Sequence, residues 1–177
     1  MGRTGEPQLV KTFVGMLTAR LSVMPRVSSL LQERLGPIDI ESDTLDFNYT
    51  RYYEEEMGPG LKRRFLGFRH LAPPERLVRV KFFTNELEQI LAEEGKRLVN
   101  LDPGYLTAAK VVLVSTKDHA HRLYLGSGIY GEVTLVYQDR RFQILPWTYP
   151  DYRSEVYHKF FKQLRTAYLA QIAIKGT

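Results

Sequence analysis

The chain contains no cysteine. Disulfide frameworks, cysteine–zinc sites and thiol nucleophiles are therefore excluded, and the absence fits a reducing compartment. No stretch approaches the roughly 20 apolar residues of a membrane span, and the amino-terminal MGRTGEPQLVKTF lacks the apolar run of a signal peptide. A soluble, cytoplasmic protein without a membrane partner is expected. Glycine-rich phosphate loops, dinucleotide fingerprints, internal repeats and low-complexity runs are missing as well. Charge of neither sign dominates: 25 Lys and Arg against 20 Asp and Glu leave +5. That mild excess favours anionic partners only slightly. Its local groups, Lys62-Arg63-Arg64 and Arg140-Arg141, read as solvated surface.

What is present suits a packed globular domain. The 177 residues, 44% of them hydrophobic, fit one domain over 1–177. Residues 1–8 read as a flexible lead-in, 9–101 as a core and 102–177 as an extension. Val10–Ala19 is rich in apolar and β-branched residues and predicts a buried strand. Pro25–Leu35 predicts a helix stopped by Gly36-Pro37. Ile38–Tyr49 alternates like strand, with a bulge or turn at Ser42-Asp43. Leu61–Leu71 is a weaker strand, Pro74–Glu94 the clearest helix, and Leu98–Leu101 a short strand. That order predicts an α+β protein with a ferredoxin-like (βαββαβ) antiparallel sheet and helices on one face. A β-hairpin and a C-terminal helix extend it.

In the second half, a turn is expected at Asp102–Gly104. Lys110–Thr116 reads as strand, although Asp102-Pro103 could also open a helix. A hairpin follows, His119–Leu125 and Ile129–Tyr137. A three-residue Gly126-Ser127-Gly128 loop sets Leu125 opposite Ile129, Tyr124 opposite Tyr130 and Arg122 opposite Glu132. His119 and His121 then fall on the mostly apolar face. Phe142–Leu145 closes the sheet. Tyr152–Ile174 forms an amphipathic helix, capped by Asp151, with Val156, Phe160, Leu164 and Leu169 on its buried face.

Ionisable residues concentrate between Asp102 and Glu132. His121 suits proton transfer near neutral pH, with Asp102 and Lys117 as catalytic companions. Lys110, His119, Arg122, Tyr105 and Tyr130 are the candidate ligand-binding residues. Lys110 interrupts an apolar strand, so it must reach water, a carboxylate or an anion. Arg122 and Glu132 read first as a cross-strand ion pair. Consecutive Glu54, Glu55 and Glu56 read as a solvated charge run. The tyrosines of YTRYYEEEM can line a pocket or cover the core, and Trp147, Tyr149 and Tyr152 read as packing of a proline-rich connection before stacking on a base or sugar. No metal site is assigned and no cofactor is indicated.

The leading expectation is binding of a phosphorylated ligand, a nucleotide, sugar phosphate or RNA, with hydrolysis or transfer at phosphorus as its catalytic form. A non-catalytic interaction or assembly module and a metal-dependent hydrolase are the alternatives. The sequence fixes neither catalysis nor oligomeric state. Two-histidine phosphodiesterases are rejected, because their paired histidine–threonine/serine motifs are absent.

The strings FVGML, GPIDIES, YYEEEMGPGLKRRF, TNELE, NLDPGYLTAAKVVL, STKDHAHRLYLGSGIYGEVTLVY and PWTYPDYR together span about residues 9–165. On them the chain resembles an uncharacterised bacterial family, a domain of unknown function. The resemblance implies a stand-alone bacterial protein. It transfers no activity, cofactor or site residue.

Overall fold

The computed structural model describes residues 2–175. Residues 2–8 lead in without regular structure and lie exposed. Met1 of the expected lead-in, and Gly176 and Thr177 at the end of the expected domain, fall outside the described residues.

The fold is mixed α and β, with one open antiparallel sheet. Its strands are β1 (Val10–Thr18), β2 (Ile38–Glu41), β3 (Leu45–Asp46), β4 (Lys62–Ala72), β5 (Asn100–Leu106), β6 (Lys110–Ser115), β7 (Leu123–Gly126), β8 (Ile129–Gln138) and β9 (Arg141–Ile144). The order is β2-β4-β1-β5-β6-β8-β7, with β3 on β4 and β9 on β8. The helices are α1 (Met24–Leu35), α2 (Glu54–Met57), α3 (Arg76–Ile90) and α4 (Glu155–Lys175).

The sheet is covered on both faces. Every residue of the central strand β1 is accordingly buried. Val14 and Met16 pack with Val27 and Leu31 of α1 and Leu77 and Val80 of α3. Phe13 faces the other way, into Phe160, Phe161 and Leu164 of α4. The sheet continues past β5 without a break, through β6, β8 and β7. Lys11 crosses from sheet to helix. Its buried ammonium donates to Asp39 (2.7 Å), the Phe68 carbonyl (3.0 Å) and Gln171 of α4 (3.0 Å). Burial lowers its pKa, and Asp39 partly offsets that.

Local signals explain most element ends. Pro25 sits in the first turn of α1, and Gly36, at φ 94°, stops it. Five expectations need correction. Asp102-Pro103-Gly104 is not a turn but the middle of β5; the chain reverses at Thr107–Ala109, where Thr107 Oγ1 accepts from the Ala109 and Lys110 amides. Pairing of β5 with β6 begins only at Gly104, opposite Leu113, so the proline lies where the ladder has already ended and its missing N–H costs no bond there. The hairpin turns through Ser127-Gly128, both at positive φ, with Gly126 opposite Ile129. An irregularity at Leu125 restores Tyr124 opposite Tyr130, as the pattern requires. β7 starts only at Leu123, so His119 and His121 lie in a loop instead of on a strand face. Asp151 opens a short 3-10 turn, and Ser154 Oγ caps α4 by accepting from the Tyr157 amide. The buried face of that helix runs through Tyr157, Phe160, Phe161 and Leu164, while Val156 is half exposed.

Candidate functional site

Beyond Gly104, toward their cavity ends, β5 and β6 part. A cavity of about 540 Å³ opens there, bounded by Asn100 and Asp102 on one side and Leu113–Lys117 on the other. Further walls come from the segment 47–53, from Arg63, from α3 and Arg97, from His119, Arg122 and Glu132, and from Tyr149–Tyr152. That volume is in the range of small-molecule sites.

The inner end is a compensated ion network. Arg63 lies on β4 with only 3% of its side chain exposed, bonded to Asp102 at 2.8 Å and facing Asp151 at 3.5 Å. Its guanidinium packs over the rings of Phe47 and Phe65. Burial opposes charge on Asp102, but Arg63 and Lys81 outweigh it and hold the carboxyl below its ordinary range. Burial prevails at Asp151 and Glu88, whose pKa values rise. Lys81 donates to the Leu101 carbonyl at 3.1 Å, and Glu88 accepts from the Leu101 amide at 2.6 Å. Arg97 bridges Glu88 and Glu56. Glu56 therefore leaves the solvated run to which the sequence assigned it. Arg63 Nε and the Tyr152 hydroxyl are buried without a hydrogen-bond partner.

A second network closes the side toward β8. Arg122 Nε donates to Glu132 at 2.8 Å, and its other nitrogens donate to the Lys117 carbonyl and the Tyr149 hydroxyl. Glu132 also accepts from Thr134 and contacts His121 Nε2 at 3.0 Å. Burial raises the pKa values of Tyr53 and Tyr149, which keeps both phenols protonated at neutral pH.

The rim is different. Lys117 and His119 line it, are exposed, and have no carboxylate partner among the described residues. Lys117 Nζ sits 5.0 Å from the centre of the Tyr52 ring, itself 66% exposed.

Of the residues singled out in the sequence, Asp102, Lys117, His119 and Arg122 meet in this cavity. His121 is not on its wall; it touches the site through Glu132 and stacks between His119 and Trp147. Lys110 opens β6, at the strand end opposite Ser115. Tyr105 packs against the α1–α3 core, and Tyr130 against Tyr124. Tyr49, Tyr52, Tyr53, Tyr149 and Tyr152 line the cavity, Tyr152 and Tyr53 also packing on core clusters, whereas Trp147 is tied to the Val133 carbonyl. Arg63, Lys81, Glu88 and Asp151 had gone unremarked as site residues. An arginine on the face of β4 that also carries Phe65 and Gly67 was the legible signal for the first.

Among the described residues, no group of three or more His, Asp and Glu side chains is placed to hold a metal ion. No helix there is long and apolar enough to cross a membrane. No curated protein and no solved structure is found similar to the chain. A family model described as a domain of unknown function matches residues 8–168, which include every wall residue of the cavity, and the chain belongs to that family, DUF4416.

Proposed function

We propose that the chain binds a phosphorylated ligand of nucleotide size, free or as a unit of RNA, in this cavity. The rim carries the reading. Lys117 and His119 offer donors that no carboxylate already occupies, beside the exposed ring of Tyr52. A phosphate needs such donors, and a planar ring or sugar face needs such an aromatic surface. Hydrolysis or transfer at phosphorus would add a proton carrier, and the imidazole on the wall is His119. A ferredoxin-like core is the finer reading of the fold; the run β2-β4-β1-β5 around α1 and α3 supports it.

The test is a thermal-shift screen of nucleotides, sugar phosphates and short RNA against wild type and Lys117→Ala/His119→Ala. Both residues are exposed, so the double variant should fold normally. A ligand at about 100 times its dissociation constant adds about 2.7 kcal/mol to folding stability. A phosphorylated compound that raises the melting temperature of wild type and not of the variant supports the reading. Equal shifts in both, or none in either, count against it.

One observation favours a second reading, an interaction module. Edge strand β7 exposes Leu123, Tyr124 and Leu125, at 75%, 63% and 45%. Exposed apolar edges are templates for strand pairing. A concentration-dependent mass in sedimentation that Leu123→Lys abolishes would support it.

A further inference from the structure

The cavity has two chemically distinct ends, and the difference specifies more than phosphate binding. Each arginine of the cavity wall is already neutralised: Arg63 by Asp102 and Asp151, Arg97 by Glu88 and Glu56, Arg122 by Glu132. Lys81 is held by a backbone carbonyl next to Asp102. A phosphate driven in there would meet the carboxylates of Asp102, Asp151 and Glu88, with only the Lys81 ammonium, already bonded to the Leu101 carbonyl, to offset its charge. It would also bring only acceptors to a carboxylate wall. A group that both donates and accepts fits instead. Asp102 keeps 30% of its side chain exposed, against 9% for Asp151 and 8% for Glu88, so it is the acceptor a ligand can reach. Asn85 lines the same cavity and adds a side-chain amide, which both donates and accepts. A reachable carboxylate and a neutral amide in one cavity are hydrogen-bonding complements of vicinal hydroxyls, since each hydroxyl donates one proton and accepts elsewhere.

We infer that the ligand lies with its phosphate outward at Lys117 and His119 and a cis-diol-bearing sugar inward, a hydroxyl of that sugar donating to Asp102. This rests on the phosphate reading above and adds a substrate class, ribonucleotides or ribose-type sugar phosphates, to it.

Titration calorimetry on the full chain tests it with adenosine and uridine 5′-monophosphates, their 2′-deoxy counterparts, ribose 5-phosphate and unphosphorylated adenosine. The ribo forms should bind roughly tenfold or more tighter than the deoxy forms, the size expected for a lost hydrogen bond to a charged acceptor. Lys117→Ala/His119→Ala should weaken ribo and deoxy forms alike, and Asp102→Asn should abolish the preference between them. The wild-type comparison stands by itself if Asp102→Asn does not fold. Ribose 5-phosphate binding as tightly as the nucleotides assigns the site to sugar phosphates; much weaker binding assigns it to nucleotides. Equal affinity for ribo and deoxy forms overturns the inward sugar while leaving phosphate binding intact. Adenosine as tight as its monophosphate, with the ribo preference kept, overturns the phosphate reading alone. Silence from every compound overturns both.

Discussion

Arg63 is the residue on which the inner cavity depends. It is buried between two carboxylates, so replacing it leaves Asp102 and Asp151 facing one another with no cation between them. Arg63→Met is predicted to lower unfolding free energy by about 3–5 kcal/mol in urea titrations. A loss below about 1 kcal/mol would mean the network contributes little. Asp102 gives a pH signature. Its carboxyl is held below its unfolded value, so its contribution is present above about pH 3.9 and disappears as pH falls through the folded value. The melting-temperature gap between wild type and Asp102→Asn should therefore be full at pH 7 and close progressively below pH ~4. A gap that widens on acidification would reverse the assigned sign. Pairing of Arg122 with Glu132 was legible because strand register fixes neighbours. Arg63 was hidden in the basic run Lys62-Arg63-Arg64, where only alternation along the strand distinguishes an inward from an outward arginine.

At the scale of elements, α4 closes the second face of the sheet. Phe161 is fully buried, with its ring centre 5.1 Å from that of Phe13. Phe161→Ala should cost about 3–5 kcal/mol, and Val156→Ala, at a half-exposed position, within about 0.5 kcal/mol. Reversed magnitudes would put the other side of the helix against the sheet. In β5, an added Cβ at Gly104 would lie 2.5 Å from the Phe13 ring and 2.5 Å from the Val112 carbonyl oxygen. The carbonyl belongs to the neighbouring strand and cannot swing away, so Gly104→Ala should destabilise by about 1–3 kcal/mol in the same assay. β1, α1 and α3 followed from periodicity and from Pro25 and Gly36, because these are local constraints, whereas α2 inside the charge run went unpredicted. Asp102-Pro103-Gly104 misled for a tertiary reason: the ladder that proline would interrupt stops beside it, which no local pattern records. On the face of α4, Phe160, Leu164 and Leu169 pack as expected and only Val156 was misplaced, because Val156 and Tyr157 are both apolar enough to be buried.

For the whole molecule, the parted strands β5 and β6, the tyrosine segment and the turn before α4 meet only after the chain has folded. The cavity was accordingly legible in part: its Asp102–Arg122 side lies within one stretch of sequence, and Arg63, Lys81 and Asp151 arrive from distant elements. A weak net charge of +5 and a single exposed rim lysine imply modest electrostatic attraction. Raising salt from 0.05 to 0.5 M should weaken phosphate-dependent binding several-fold. The decisive measurement is a crystal structure of the chain saturated with a ribonucleoside monophosphate. Phosphorus at hydrogen-bonding distance from Lys117 or His119, with the ribose facing Asp102, is the predicted result. A nucleotide bound elsewhere, or an empty cavity at saturating concentration, would contradict it.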